Sequence, residues 1–285
     1  MTATSATGTR RLQAHGVEHV TALLESDFGR LSRGSWAVGN HYLLDALDRG
    51  EHDRFVLWPG DDPVAVVYAG PTGTVVPAGD PAAGSALAQA AEDAGWRILI
   101  GDAPICRAIL AGAGRALFRR KPSAREQRFM VAGPAAAQTG RLECLRRARR
   151  DDLDQLTDFA CRLHVEDRMG PSISRTGRAA VRTRMQDSVD RGATWVVERD
   201  GAPVGKVDLS LRSRRRGAQI AGVFVASEWR GRGLASGAVN TLTADLLADG
   251  FPVVTLHVRS DNAPAIAAYT RAGYTDQGAW LLALR

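Results

Sequence analysis

The apolar positions of this chain alternate between two periods, and the alternation sets out a run of strands and helices. Residues 42–47 (YLLDAL) carry helical spacing, and 54–60 (RFVLWPG) and 64–70 (VAVVYAG) read as short strands about the turn DDP. A further strand is predicted over 72–79 (TGTVVPAG), and an alanine-rich helix over 82–95 closes on a glycine, a common helix stop. The strand WRILIGD and the helix APICRAILAGAG follow over 96–114. The pattern then lapses. Residues 118–128 are polar and contain a proline, and 132–140 (AGPAAAQTG) have linker character. Beyond them a strand is predicted over 142–148. Leu153, Leu156, Phe159, Ala160 and Leu163 mark a helix behind an Asp cap. A hairpin over 193–213 turns at Asp200-Gly201. The unbroken apolar run 219–227 (QIAGVFVAS) reads as a strand central in a sheet. A helix (233–250), a strand (252–258), a helix (263–273) and a closing strand (279–284) complete the order.

This is the pattern of an α/β protein with mixed sheets flanked by helices. It suggests two domains, 1–134 and 141–285, joined by a linker at 135–140. The halves also repeat loosely: SDNAPAIAAYTRAGY (260–274) echoes GDAPICRAILAGAGR (101–115), which sets Tyr269 opposite Ile109. The first twenty residues lack the apolar core of a signal peptide, and the longest apolar runs are too short to span a bilayer, so a soluble cytoplasmic protein with no membrane partner is expected. Three cysteines without CxxC spacing suggest neither a disulfide framework nor a metal site. The net charge of +6 lies wholly in the second half, where 23 Lys and Arg face 17 Asp and Glu, against 14 and 14 before residue 139. That excess fits an anionic ligand or partner, or simply an arginine-biased composition, since only Lys121 and Lys206 are lysines.

The chemistry concentrates in VFVASEWRGRGLASGAV (223–239). A strand ends near Ala226, two Arg-Gly pairs follow, and a helix begins near Leu234. The first amides of a helix have no internal partner and, with the helix dipole, attract anions. Gly231 and Gly233 let a phosphate approach the backbone, and Arg230 and Arg232 can add charge-assisted hydrogen bonds. The spacing Arg230-x-x-Gly233-x-Ala235 resembles the R/Q-x-x-G-x-G/A signature of the GNAT N-acyltransferases. Alone it means little, because about one such match is expected by chance here. The context carries it: Asn262, Ala265, Ile266, Tyr269, Gly273 and Tyr274 match the family's N-x-x-A-[IV]-x-x-Y-x-x-x-G-[FY] pattern, one strand and one helix later.

The resemblance covers 139–285 and implies a role for each matching residue. Val223, Phe224 and Val225 would bind the pantetheine arm of acetyl-CoA or another acyl-CoA through their backbone. Arg230, Gly231, Arg232, Gly233, Leu234 and Ala235 would cradle its pyrophosphate, and Asn262 would contact the pantetheine region. Tyr269 would be the general acid at the sulfur. A tyrosine of pKa ~10 can protonate a thiolate whose parent thiol has a pKa of ~8.5. His164, Glu166 and Asp167 fall where relatives bind the acceptor. The strand 219–227 carries no Asp or Glu where many relatives have one, so no base is singled out; Glu228, His257 and Asp208 stay open. The first half looks like a GNAT unit that has lost its site, because PAGDPAAGSA has no Arg or Gln at the signature position. The whole resembles the tandem-GNAT proteins of actinobacteria. Only about a dozen residues follow Gly273, so the first unit or a second subunit is expected to cover an open sheet edge.

The leading expectation is acyl transfer from a CoA thioester to a primary amine of a small molecule, by a monomer or homodimer. Aminoacyl-tRNA is the alternative donor, suggested by the basic residues Arg146, Arg147, Arg149, Arg150, Arg212, Arg214, Arg215 and Arg216. A non-catalytic acyl-CoA-binding protein is a second alternative. The acceptor segment, residues 164–192, is the least patterned part of the chain.

Overall fold

A computed structural model describes residues 8–26, 36–113, 122–133 and 141–285. The elements run β1 (Arg10–Arg11), α1 (Val17–Glu25), α2 (Trp36–Gly39), α3 (His41–Asp48), β2 (Phe55–Trp58), β3 (Ala65–Ala69) and β4 (Thr74–Gly79). Next come α4 (Gly84–Asp93), β5 (Ile98–Asp102), α5 (Ala103–Gly112), β6 (Ser123–Ala132), β7 (Leu145–Arg147), α6 (Leu153–Glu166), α7 (Arg175–Asp190) and β8 (Thr194–Arg199). The order ends with β9 (Ala202–Ser213), β10 (Gly217–Val225), α8 (Leu234–Ala248), β11 (Val254–Arg259), α9 (Ala263–Arg271) and β12 (Thr275–Leu284).

The chain divides into two compact units. The first takes Met1–Met130 together with Val258–Asp261 and Asp276–Arg285; the second takes Val131–His257 and Asn262–Thr275. The anticipated linker at 135–140 lies outside the described residues. The last strand of the chain counts with the first unit.

In the first unit the sheet order is β1-β2-β3-β4-β5-β12-β6. β1 to β4 are antiparallel neighbours, and β4 meets β5 in parallel at Thr74↔Ile98 and Val75↔Leu99. β12 then runs antiparallel along β5, from Trp280↔Asp102 to Leu284↔Ile98. The sheet has a core on each face, as strand alternation requires. Val67, Val75, Leu99 and Leu281 meet Leu87, Ile105 and Ile109 of α4 and α5, while Val66, Tyr68 and Val76 meet Val20, Leu24, Leu43 and Leu44 of α1 and α3. The polar stretch read as a connector over 118–128 is corrected in part: Ser123–Ala132 is a ten-residue strand. Its charged side chains form ion pairs within the unit, Arg107 with Glu126 and Arg128 with Asp276, and these hid the alternation.

In the second unit the order is β11-β10-β9-β8-β7, with β10 and β11 parallel and the rest antiparallel. The hairpin turn sits at the expected pair, with φ of 50° at Asp200 and 77° at Gly201. Leu156 and Ala160 of α6 and Val181, Met185 and Val189 of α7 pack on Val196. The motif helix α8 packs on β9 and β10.

Candidate functional site

Strand β10 brings the chain to the site and is irregular just before it. Its parallel pairing with β11 ends at Ile220↔Leu256, and its register with β9 slips between Ala221 and Phe224. A bulge of this kind re-aims the backbone. Gly222 occupies it with φ of 56°, and a Cβ there would lie 2.3 Å from Asp208 Oδ2. The bulge rests on a buried ion pair. Lys206, with 1% of its surface exposed, donates from Nζ to the Gly222 carbonyl at 2.9 Å and to the Asp208 carboxylate. Thr194 Oγ1 donates to Asp208 Oδ1 at 3.0 Å, and Ser188 Oγ lies 2.8 Å from Thr194 Oγ1. Lys206 was not singled out from sequence as a site residue, because nothing in the strand pattern marks which residue meets a bulge. Phe224 is a core residue, 5.0 Å from the Phe159 ring, so only its backbone is free for a ligand.

After β10 a short 3₁₀ turn (Ser227–Trp229) leads to the Arg-Gly pairs. Gly231 and Gly233 both adopt left-handed φ, 75° and 74°, and Gly233 caps α8 without a side chain. The amides of the first turn of α8 therefore open onto the loop. A Cβ built on Gly231 would touch nothing within 4 Å, and one on Gly233 only Ser236 Oγ at 4.0 Å. Space for an anion lies above both. Arg232 stacks its guanidinium 4.8 Å from the Trp229 ring centre, with one nitrogen 3.3 Å from the Glu228 carbonyl. Arg230 is committed more fully: Nε donates to the Val225 carbonyl at 2.8 Å and Nη2 to Glu166 Oε2 at 2.6 Å.

Glu166 thus reaches the guanidinium of Arg230 in the loop. His164 Nε2 packs 3.0 Å from where a Cβ of Gly170 would lie, so it serves the bend after α6. Asp167 lies close enough to Tyr269 for its negative charge to act on the phenol. Tyr269 is 8% exposed, and its hydroxyl makes no hydrogen bond to another described residue. Burial first, and then the negative charge of Asp167, push its pKa up to about 12. The neighbouring Tyr274 is anchored through Thr243, 2.6 Å away. Asn262 caps α9 by accepting from Ala265 N at 3.3 Å. Of the residues left open as a base, Glu228 is exposed beside the loop, His257 Nδ1 lies 2.8 Å from Gln219 Nε2, and Asp208 is paired with Lys206.

The arginines of the basic half are largely spent within the unit. Arg146 makes two hydrogen bonds to Asp152, at 2.9 and 3.0 Å, and one to Glu198 at 2.6 Å. Arg147 donates to the Gly192 carbonyl at 2.6 Å, Arg150 pairs with Asp190 at 2.9 Å, and Arg212 and Arg214 stack on Phe251. Among the described residues no group of His, Cys, Asp and Glu could hold a metal, and no helix is long and apolar enough to cross a membrane.

Residues 159–274, which span the loop and Tyr269, match the model of the acetyltransferase (GNAT) family. Solved structures match over nearly the whole chain. An acetyltransferase of the GNAT family from Colwellia psychrerythraea superposes with a TM-score of 0.58 at 12% identity, covering 97% of this chain and 98% of its own. For a GCN5-related N-acetyltransferase from Sphaerobacter thermophilus the values are 0.61, 16%, 97% and 94%. For a Drosophila protein they are 0.65, 14%, 97% and 98%.

The fold is that of the GNAT acetyltransferases.

In the first unit β4 leads through a short loop into α4, and that loop is closed. Asp80 Oδ1 accepts from Ala82 N at 2.8 Å, so a carboxylate already holds the helix entrance. A Cβ on Gly84 would lie 2.3 Å from Ala108, so α4 starts in direct contact with α5. At the position set opposite Tyr269, Ile109 is 1% exposed in the core.

Proposed function

We propose that the protein is an N-acyltransferase that moves an acyl group, acetyl in the simplest case, from a CoA thioester to a primary amine of a small molecule. The observation that carries this reading is the open loop at Gly231 and Gly233, which leads from a bulged strand into α8 within the same unit as the buried Tyr269. In this reading the α8 amides and Arg232 bind the pyrophosphate, and Arg230 joins them when Glu166 lets go. The edge of β10 left unpaired beyond Ile220 receives the amide arm of the donor. The amine attacks the thioester carbon, charge gathers on its oxygen, and the carbon–sulfur bond breaks. Tyr269 gives its proton to the departing sulfur. A pKa of about 12 keeps that proton in place throughout the neutral range. Alignment of amine and thioester supplies much of the rate.

The test is calorimetric titration with acetyl-CoA beside an Arg230→Ala, Arg232→Ala double variant. Micromolar binding that the variant loses supports the reading. No binding at millimolar acetyl-CoA overturns it. Aminoacyl-tRNA as donor, and a binding role without catalysis, gain no specific observation beyond those that raised them.

A further inference from the structure

The first unit has an opening away from the loop at the start of α4. It is a cavity of about 790 Å³ between the edge formed by β1 to β3 and the last turns of α4. Four arginines line it, Arg10, Arg11, Arg54 and Arg97, against two carboxylates, Asp53 and Asp93. Their engagement differs. Arg10 is paired with Asp61 at 2.8 Å, and Arg54 reaches the Ala69 carbonyl at 3.5 Å and Glu51 at 3.7 Å. The guanidiniums of Arg11 and Arg97 have no hydrogen-bond or ion-pair partner among the described residues. Asp93 already accepts from Gln89 at 2.7 Å, which lowers its weight as a counter-charge.

The two free guanidiniums are presented by ordered backbone. Arg11 sits in β1 opposite Val56 of β2. Arg97 is placed by the turn before β4, where its N–H donates to the Gly73 carbonyl at 2.8 Å and its side chain packs on Gly73. Val56 and Ala69, both partly exposed, supply apolar wall. The volume lies within the range of small-molecule sites, roughly 300–1,000 Å³. Guanidinium forks favour planar or tetrahedral oxyanions held by two hydrogen bonds, and apolar wall favours an organic body.

We propose that this cavity binds a small organic anion bearing a phosphate or carboxylate group, with Arg11 and Arg97 on the anionic group and the body against Val56 and Ala69. The proposal stands apart from the acyl-transfer reading, since no residue is shared between the two sites.

The experiment is calorimetric titration of the full chain with phenyl phosphate, benzoate and inorganic phosphate. It is repeated on Arg11→Gln/Arg97→Gln, on Arg97→Glu alone, and on Arg230→Ala/Arg232→Ala. Thermal unfolding of each variant checks that it folds, and the single charge reversal keeps the test decisive if the double variant does not. Phenyl phosphate or benzoate is expected to bind about tenfold more tightly than inorganic phosphate, and to lose about tenfold or more in the Arg11/Arg97 variants but not in the loop variant. The relative strength of the two organic probes tells phosphate from carboxylate. Absence of saturable binding by either organic probe overturns the proposal. So does binding that survives at Arg11 and Arg97 and disappears with the loop arginines. Equal affinity for inorganic phosphate and the organic probes removes the apolar part of the assignment and overturns it as stated.

Discussion

Lys206 carries a full charge into the interior of the second unit, with three acceptor and donor groups arranged to receive it. The Asp208 carboxylate, the Gly222 carbonyl and the Thr194 hydroxyl form one network under the bulge of β10. Replacing one member of a buried ion pair strands the other charge, which costs about 3–5 kcal/mol. Lys206→Met should therefore lower unfolding stability by about that much in urea titration, and Lys206→Met/Asp208→Leu should recover a large part of it. A double variant as unstable as the single one would show that the pair is not the source of the loss. Tyr269 belongs to the same scale. Tyr269→Phe should leave acetyl-CoA affinity unchanged while turnover falls ~10²-fold. A turnover equal to wild type would remove Tyr269 as the acid. Its raised pKa also has a sign in stability. The folded state keeps the proton that the unfolded chain gives up near pH ~10. The contribution is intact below that pH and is lost as pH rises toward about 12. Tyr269→Phe should accordingly show a shallower alkaline loss of stability than wild type. None of these contacts except Tyr269 could be read from the chain, because a bulge shifts which residues face each other and leaves no periodic mark.

Elements were legible in proportion to how much of one face they bury. The helix α8 was readable to within a residue or two, since apolar positions surround it and two Arg-Gly pairs announce its start. The helix α7 was not: its buried positions, Val181, Met185 and Val189, stand four apart among arginines, and its cap, Ser174 accepting from Gly177 N at 3.1 Å, is an ordinary Ser. β6 failed for a related reason, as its salt-bridged outer residues resemble a solvated connector. The candidate loop itself was legible because left-handed turns need glycine and phosphate sites need open backbone. That requirement is testable at Gly233, whose φ of 74° disfavours any side chain. Gly233→Ala should cost about 1 kcal/mol in chemical denaturation and weaken acetyl-CoA binding more than it weakens the fold. Affinity unchanged by the substitution would mean that the loop is not where the donor binds.

At the level of the molecule, the membership of the last strand was not legible in the sequence. Sequence order suggests that residues 276–285 finish the second domain; instead β12 is seated in the first unit's sheet between β5 and β6. Its inward residues Leu281 and Ala283 join the core of that unit, and Arg285 closes it with an ion pair to Glu92. A chain ending at Tyr274 should therefore lose the protection of β5 amides in hydrogen exchange while the pairing of β8 with β9 keeps its own. Equal loss in both places would show that the two units do not hold their stability separately.

The place of β12 also sets when the first unit can exist. Synthesis delivers β1 to β6 early and β12 only after the second unit's segments, so a growing chain first has every piece of the first sheet but the strand between β5 and β6. Until β12 is made, the flanks of β5 and β6 stay unmatched and the apolar seats of Leu281 and Ala283 stay empty. The second unit, whose segments end at Thr275, has all its parts first. The usual order of assembly during translation, N-terminal domain before C-terminal, is reversed here. The unit begun first can finish its sheet only after the second unit's segments have been made.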